Sequence, residues 1–200
     1  MQDNSYDKNP SSSAIFDGKE ALTFCHAIAT GDDDFAHGLG KHLISNLERT
    51  NGSDKILFYT IPLYPFAMKL YSIWSQIPVT YRADVLQPLG RYQQIFDNWT
   101  KPDKLADSLL DICDFHCEES TDAKNAYAAF AFHPYNLFPV EIMSIYRIRE
   151  KLGLETPHID HPLLSSLLLN PPKSILPVED ALLDKAIARF RSDFPDGIGW

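Results

Sequence analysis

Cys113, His116 and Cys117 stand three and four residues apart, a spacing that lets one helix aim two sulfurs and an imidazole at a single point. Zinc takes ligands of this kind, and Cys25-His26 offers a fourth. Compact zinc sites, however, use a closely spaced Cys pair twice over, and this chain has no second pair. The competing reading places Cys113 and His116 on the inward face of a helix, with the imidazole hydrogen-bonded in a core. A second constellation, His158, Asp160 and His161, lies on an extended link between prolines, with Glu141 or His133 able to complete a metal-dependent enzyme's ligand set. Its structural alternative is a loop whose polar groups satisfy the backbone as it crosses a core. Gly-x-Ser-x-Gly, His-Glu-x-x-His, the P-loop and Gly-x-Gly-x-x-Gly are all missing, and Gly38-Leu39-Gly40 is a fragment inside an amphipathic helix. Cys25 or Cys113 could act as a nucleophile only if the fold brings one of the seven histidines to it.

The most ordered chemical pattern is a charge pattern. Asp103, Asp107, Asp111, Asp114 and Glu118 fall within about 80° of one another on a helical wheel, with Leu105, Leu109, Ile112 and His116 opposite. Glu119 and Asp122 extend the acidic row into the following loop. Such a row is either the solvated face of a surface helix or a docking face for a cationic protein. Like charges at helical neighbour positions repel, so the row asks for nearby cations or a partner. Asp107, Asp111, Asp114 and Glu118 are therefore expected to face a partner, with Asp103 at the margin and Glu119 and Asp122 beyond.

The elements that must position these residues read as helices. Pro139 opens a run from Val140 to Leu152 that is apolar on nearly all sides and stops at Gly153, the expected central buried helix near 139–152. Residues 19–30 and the segment after Asp32-Asp33-Asp34 form a helical hairpin, with the aspartates capping the second helix. Phe66, Leu70, Ile73 and Trp74 mark another helix, 81–99 a further one bent at Pro88, and Pro177 opens the last. KILFYTI, 55–61, fits a strand or a helix equally, and LLSSLLL, 163–169, a short helix. The expected architecture is mainly α, a single-domain multi-helix bundle over 17–200 behind a flexible tail, 1–16.

Two hundred residues with 44% hydrophobic content suffice for one proper core. A net charge of −9 disfavours nucleic acid and anionic membranes, which are bound through basic surfaces. The opening residues lack a signal peptide's basic and apolar regions, no apolar run reaches the roughly 18 residues of a membrane span, and three cysteines do not suggest a disulfide framework. A cytoplasmic protein without a cofactor is expected.

Two stretches, LLDICDFHCEES (109–120) and FHPYNLFPVEIMSIYRIREKLGLETPHIDHPLL (132–164), together resemble the carboxy-terminal half of all-helical bacterial polymorphic-toxin immunity proteins of the immunity protein 49 type, encoded beside type VI and other secreted effectors. The shared features are a late helix with a glycine stop and the segment Asp160-His161-Pro162-Leu163-Leu164. The first half of the chain carries no such likeness. The resemblance implies a non-catalytic inhibitor that occludes one cognate toxin, with aromatic anchors at the interface and the acidic face set against a basic cleft. An effector-binding adaptor of the same secretion system is the neighbouring expectation.

Overall fold

Apolar residues recurring at three- and four-residue steps fold here as helices, and the computed structural model describes residues 14–49, 62–78, 89–120, 129–130, 133–165, 180–193 and 195. In order they are α1 (Ala14–Thr30), α2 (Asp33–Arg49), α3 (Leu63–Ser75), a 3-10 turn (Gly90–Tyr92) running into the short α4 (Gln93–Asp97), α5 (Pro102–Glu118), α6 (Val140–Lys151), a second 3-10 turn (Pro162–Leu164) and α7 (Ala181–Asp193). No strand occurs among the described residues, and the fold is mainly α. No described helix is long and apolar enough to cross a membrane.

The punctuation follows local chemistry. α1 and α6 end in the same way, each with a glycine at positive φ, 81° at Gly31 and 68° at Gly153. At the first, Asp32 N–H donates to Ala27 O (2.9 Å) and Gly31 N–H to Ile28 O (3.1 Å); at the second, Leu154 N–H donates to Arg149 O (2.9 Å) and Gly153 N–H to Glu150 O (3.0 Å). This paired closure satisfies carbonyls that the helix leaves open. Asp32 then caps α2 by accepting from Phe35 N–H at 3.2 Å, as the aspartate run foretells. Pro102 starts α5, where the missing N–H has no helical partner to lose.

The core of residues 1–169 is built on α1 and α6, which pack on each other more extensively than any other pair of described elements. α1 contributes Ala21, Leu22, Phe24, Cys25, Ala27 and Ile28, and α6 Val140, Ile142, Ile145 and Ile148. α3 lies against α1 and α2 and is buried from Leu63 through Met68 and again at Leu70 and Tyr71. Full burial of one such apolar side chain contributes about 1.5–3 kcal/mol. α6 is thus the central buried helix, but two charged residues, Glu141 and Arg149, are buried on it as well.

Gly40, part of the glycine pair to which the sequence attaches no role, is where α2 and α3 meet. A Cβ there would lie 2.3 Å from Cδ2 and Cε2 of the fully buried Tyr71 ring, whereas at Gly38 nothing lies within 4 Å. Gly40→Ala is therefore expected to destabilise by about 1–3 kcal/mol despite alanine's better helix propensity. Gly38→Ala should be neutral or slightly stabilising; urea midpoints of the two variants make the comparison.

Some expectations meet a different chain. Residues 89–99 form the 3-10 turn and the short α4 in place of a long helix, while 79–88 lie outside the described residues. Outside them too lie 1–13 of the expected tail (14–16 open α1), KILFYTI, and 166–169 of LLSSLLL, whose first residues belong to the second 3-10 turn. The chain divides into two compact units, 1–169 and 170–200. In the second unit α7 has every residue exposed.

Candidate functional site

α5 carries its acidic row outward and Leu105, Ser108, Leu109, Ile112, Cys113 and His116 inward. The row is not uniform. Asp103 and Asp107, on its first turns, are exposed and have no cationic partner among the described residues. Further along, Arg91 from the 3-10 turn reaches across, its Nη1 3.6 Å from Asp111 Oδ1 and its Nη2 2.9 Å from Glu118 Oε2, with the guanidinium over the Phe115 ring at 5.3 Å. Asp114, 68% exposed, meets His161, whose Nδ1 accepts from Leu163 N–H (3.1 Å), leaving Nε2–H to donate to Asp114 Oδ1 (3.2 Å). Glu119 turns away from the row. Its Oε2 accepts from Ala129 N–H (3.3 Å) and its carbonyl from Phe130 N–H (3.1 Å), so it staples the chain beyond α5. Asp122 lies outside the described residues.

Exposed ion pairs of this kind contribute at most about 1 kcal/mol each, but they cancel field locally. Asp103 and Asp107, of which only Asp103 was expected to be marginal, are the exposed carboxylates of the row without an ion-pair partner among the described residues, though Lys101 and Lys104 stand exposed beside them. Arg91 was not singled out in the sequence, because its proximity to α5 comes from tertiary packing and leaves no periodic trace.

Behind the same helix sits a buried polar pair. His116 Nδ1 is 2.8 Å from Glu141 Oε1, the two side chains 1% and 0% exposed, and the imidazole stacks on Phe130 at 4.2 Å. His116 Nε2, Glu141 Oε2 and the Tyr92 hydroxyl are buried without a hydrogen-bond partner among the described residues. The pair ties α5 to α6, and Glu141, read from sequence as a spare metal ligand, is taken up by it.

The thiols nearby are held as thiols. Burial pushes Cys25 well up, opposed by a hydrogen bond with Ser144 and reinforced by Glu141. Burial and then Glu141 push Cys113 up to about 12, and the same two causes raise the Tyr92 hydroxyl. A nucleophilic cysteine requires the opposite environment. Folding holds these protons more tightly than the unfolded chain does. The stability they contribute is present below the ordinary thiol value of 9.0 and is lost as pH rises from there toward the raised folded values. Urea midpoints should be level between about pH 7 and 8 and fall by about pH 10, with a shallower fall in Cys113→Ala. An unchanged midpoint at the higher pH would contradict this.

Cys117 is exposed while Cys113 and His116 are buried, so the three do not converge. His133 Nδ1 contacts Asn136 Oδ1 (3.0 Å), His158 and Asp160 are exposed on either side of the buried Ile159, and His161 serves Asp114. Among the described residues no group of three or more His, Cys, Asp or Glu side chains is placed to hold a metal ion. No family model, curated protein or solved structure matches this chain.

Proposed function

We propose that this chain is a non-catalytic immunity-type inhibitor that binds a cognate toxin or effector protein and covers a basic surface on it with the outer face of α5. The supporting observation is the pair of exposed carboxylates, Asp103 and Asp107, without an ion-pair partner among the described residues on a helix whose other face is locked into the core. A preformed face of one sign speeds encounter with an opposite partner and rejects like-charged competitors. The net charge of −9 favours the same partner chemistry.

Co-expression with the protein encoded beside it tests the reading, scoring growth rescue and co-purification together. Rescue with a stable complex supports inhibition by binding; a complex without rescue points to an effector-binding adaptor. A complex without rescue, or the failure of both readouts, overturns inhibition. Within a complex, Asp103→Lys with Asp107→Lys is expected to raise the dissociation constant roughly tenfold or more, and Asp111→Lys with Asp114→Lys to have the smaller effect. Equal affinity of the Asp103/Asp107 variant and the parent at moderate salt would remove α5 from the interface.

A further inference from the structure

We propose that Tyr92, His116 and Glu141 enclose a buried hydration site, in which at least one ordered water ties the 3-10 turn Gly90–Tyr92 to α5 and α6. Each of the three residues comes from a different one of these elements, and each is fully buried. The Tyr92 hydroxyl, His116 Nε2 and Glu141 Oε2 have no hydrogen-bond partner among the described residues. Polar atoms this deep are destabilising when left bare, and folded proteins pair nearly all of them with protein groups or with ordered water. Glu141 links the set. Its Oε1 lies 2.8 Å from His116 Nδ1, and its charge, after burial itself, is the main cause that raises the Tyr92 hydroxyl.

The chemistry of the three atoms selects water. A carboxylate oxygen only accepts, and a phenol donates or accepts. His116 Nε2 accepts in a neutral ring and donates in a charged one. Water does both, so it suits every member, and buried waters commonly make about three hydrogen bonds to atoms of this kind. Neighbouring side chains do not supply the partner. The Ser144 hydroxyl donates to Glu141 O at 2.7 Å, and the Cys25 and Cys113 thiols keep their protons and are weak donors. A metal ion would need further anionic or imidazole ligands, and among the described residues no such group is placed to hold one. A bridge through water is nearly as favourable as a direct bond. Here it joins elements that make no direct hydrogen bond through these three atoms.

A high-resolution crystal structure of the full chain, paired with deuteron relaxation dispersion of the water signal in solution, tests this. The map should show a water within about 2.5–3.2 Å of Glu141 Oε2 and of at least one of the Tyr92 hydroxyl and His116 Nε2. In solution the parent should show long-lived internal water. His116→Leu combined with Glu141→Met should lose the dispersion amplitude of at least one molecule, with circular dichroism checking that the variant folds. The parent's map decides by itself if the double variant does not fold. A map in which the three atoms bond directly to one another or to other side chains overturns the site, as does one with no water in contact with them. Anomalous density marking an ion there, or an amplitude unchanged in the folded double variant, overturns it equally.

Discussion

Replacing His116 with alanine is expected to lower the unfolding free energy by about 3–5 kcal/mol at neutral pH. The substitution leaves the Glu141 carboxylate fully buried with its 2.8 Å partner gone, surrounded by thiols and a tyrosine hydroxyl that burial holds in their neutral forms. None of these neighbours is a cation, so none compensates the carboxylate. Part of the cost also comes from the lost stack on Phe130. The penalty belongs to the orphaned partner more than to the pair. His116→Leu combined with Glu141→Met removes both polar groups at similar volume and should recover most of the loss. A double-mutant cycle from urea unfolding measures the coupling. A loss under about 1 kcal/mol in His116→Ala, or a double variant as unstable as the sum of its parts, would contradict this account.

Arg149→Met should destabilise by about 3 kcal/mol, because hydrogen bonds from a charged group contribute about 1.5–3 kcal/mol each and the methionine regains only the packing. Arg149 is 1% exposed. It donates to Trp99 O and Glu155 O, and through Nε to Thr156 Oγ1 at 3.1 Å, while lying 5.3 Å from the centre of the Trp99 ring. No carboxylate pairs with it among the described residues, and burial pushes it below its ordinary 12.5. Its charge is therefore held by carbonyl dipoles, and one side chain fixes the end of α6, the turn after α4 and the link 154–157. Arg149→Lys should recover less than half of the loss, since a compact ammonium cannot serve this fork of acceptors. Amide exchange at 154–156 should rise in both variants. Protection unchanged from the parent would show that the link is held by something else.

The elements were legible wherever periodicity and punctuation agree. α5 declares itself by an acidic face against an apolar one, and α6 by Pro139 and Gly153; Asp32 announces the start of α2. Long-range partners were not legible. Glu141 looks like a helix-start acid free to ligate, and nothing local says that a histidine 25 residues earlier claims it. Arg149 drew no reading from the sequence, yet its fork is turned into the chain beyond α6. The acidic row was visible as a whole, but its division into a compensated and an open part depends on Arg91, whose sequence neighbourhood suggested only more helix. Gly40 escaped notice for a related reason: a close approach is a property of two elements, and only one of them is in view at a time.

Arg91 behaves as a counterion that cannot leave. A mobile salt ion near Asp111 and Glu118 would be exchanged and diluted with the medium, whereas a guanidinium tethered through the 3-10 turn keeps a fixed local concentration whatever the buffer contains. One end of α5 therefore has part of its charge offset by its own chain. The other end, at Asp103 and Asp107, answers to the Debye length, about 8 Å in physiological salt. Any protein captured electrostatically by this helix should feel a field in which Asp103 and Asp107 answer to salt more steeply than the carboxylates that Arg91 partly offsets.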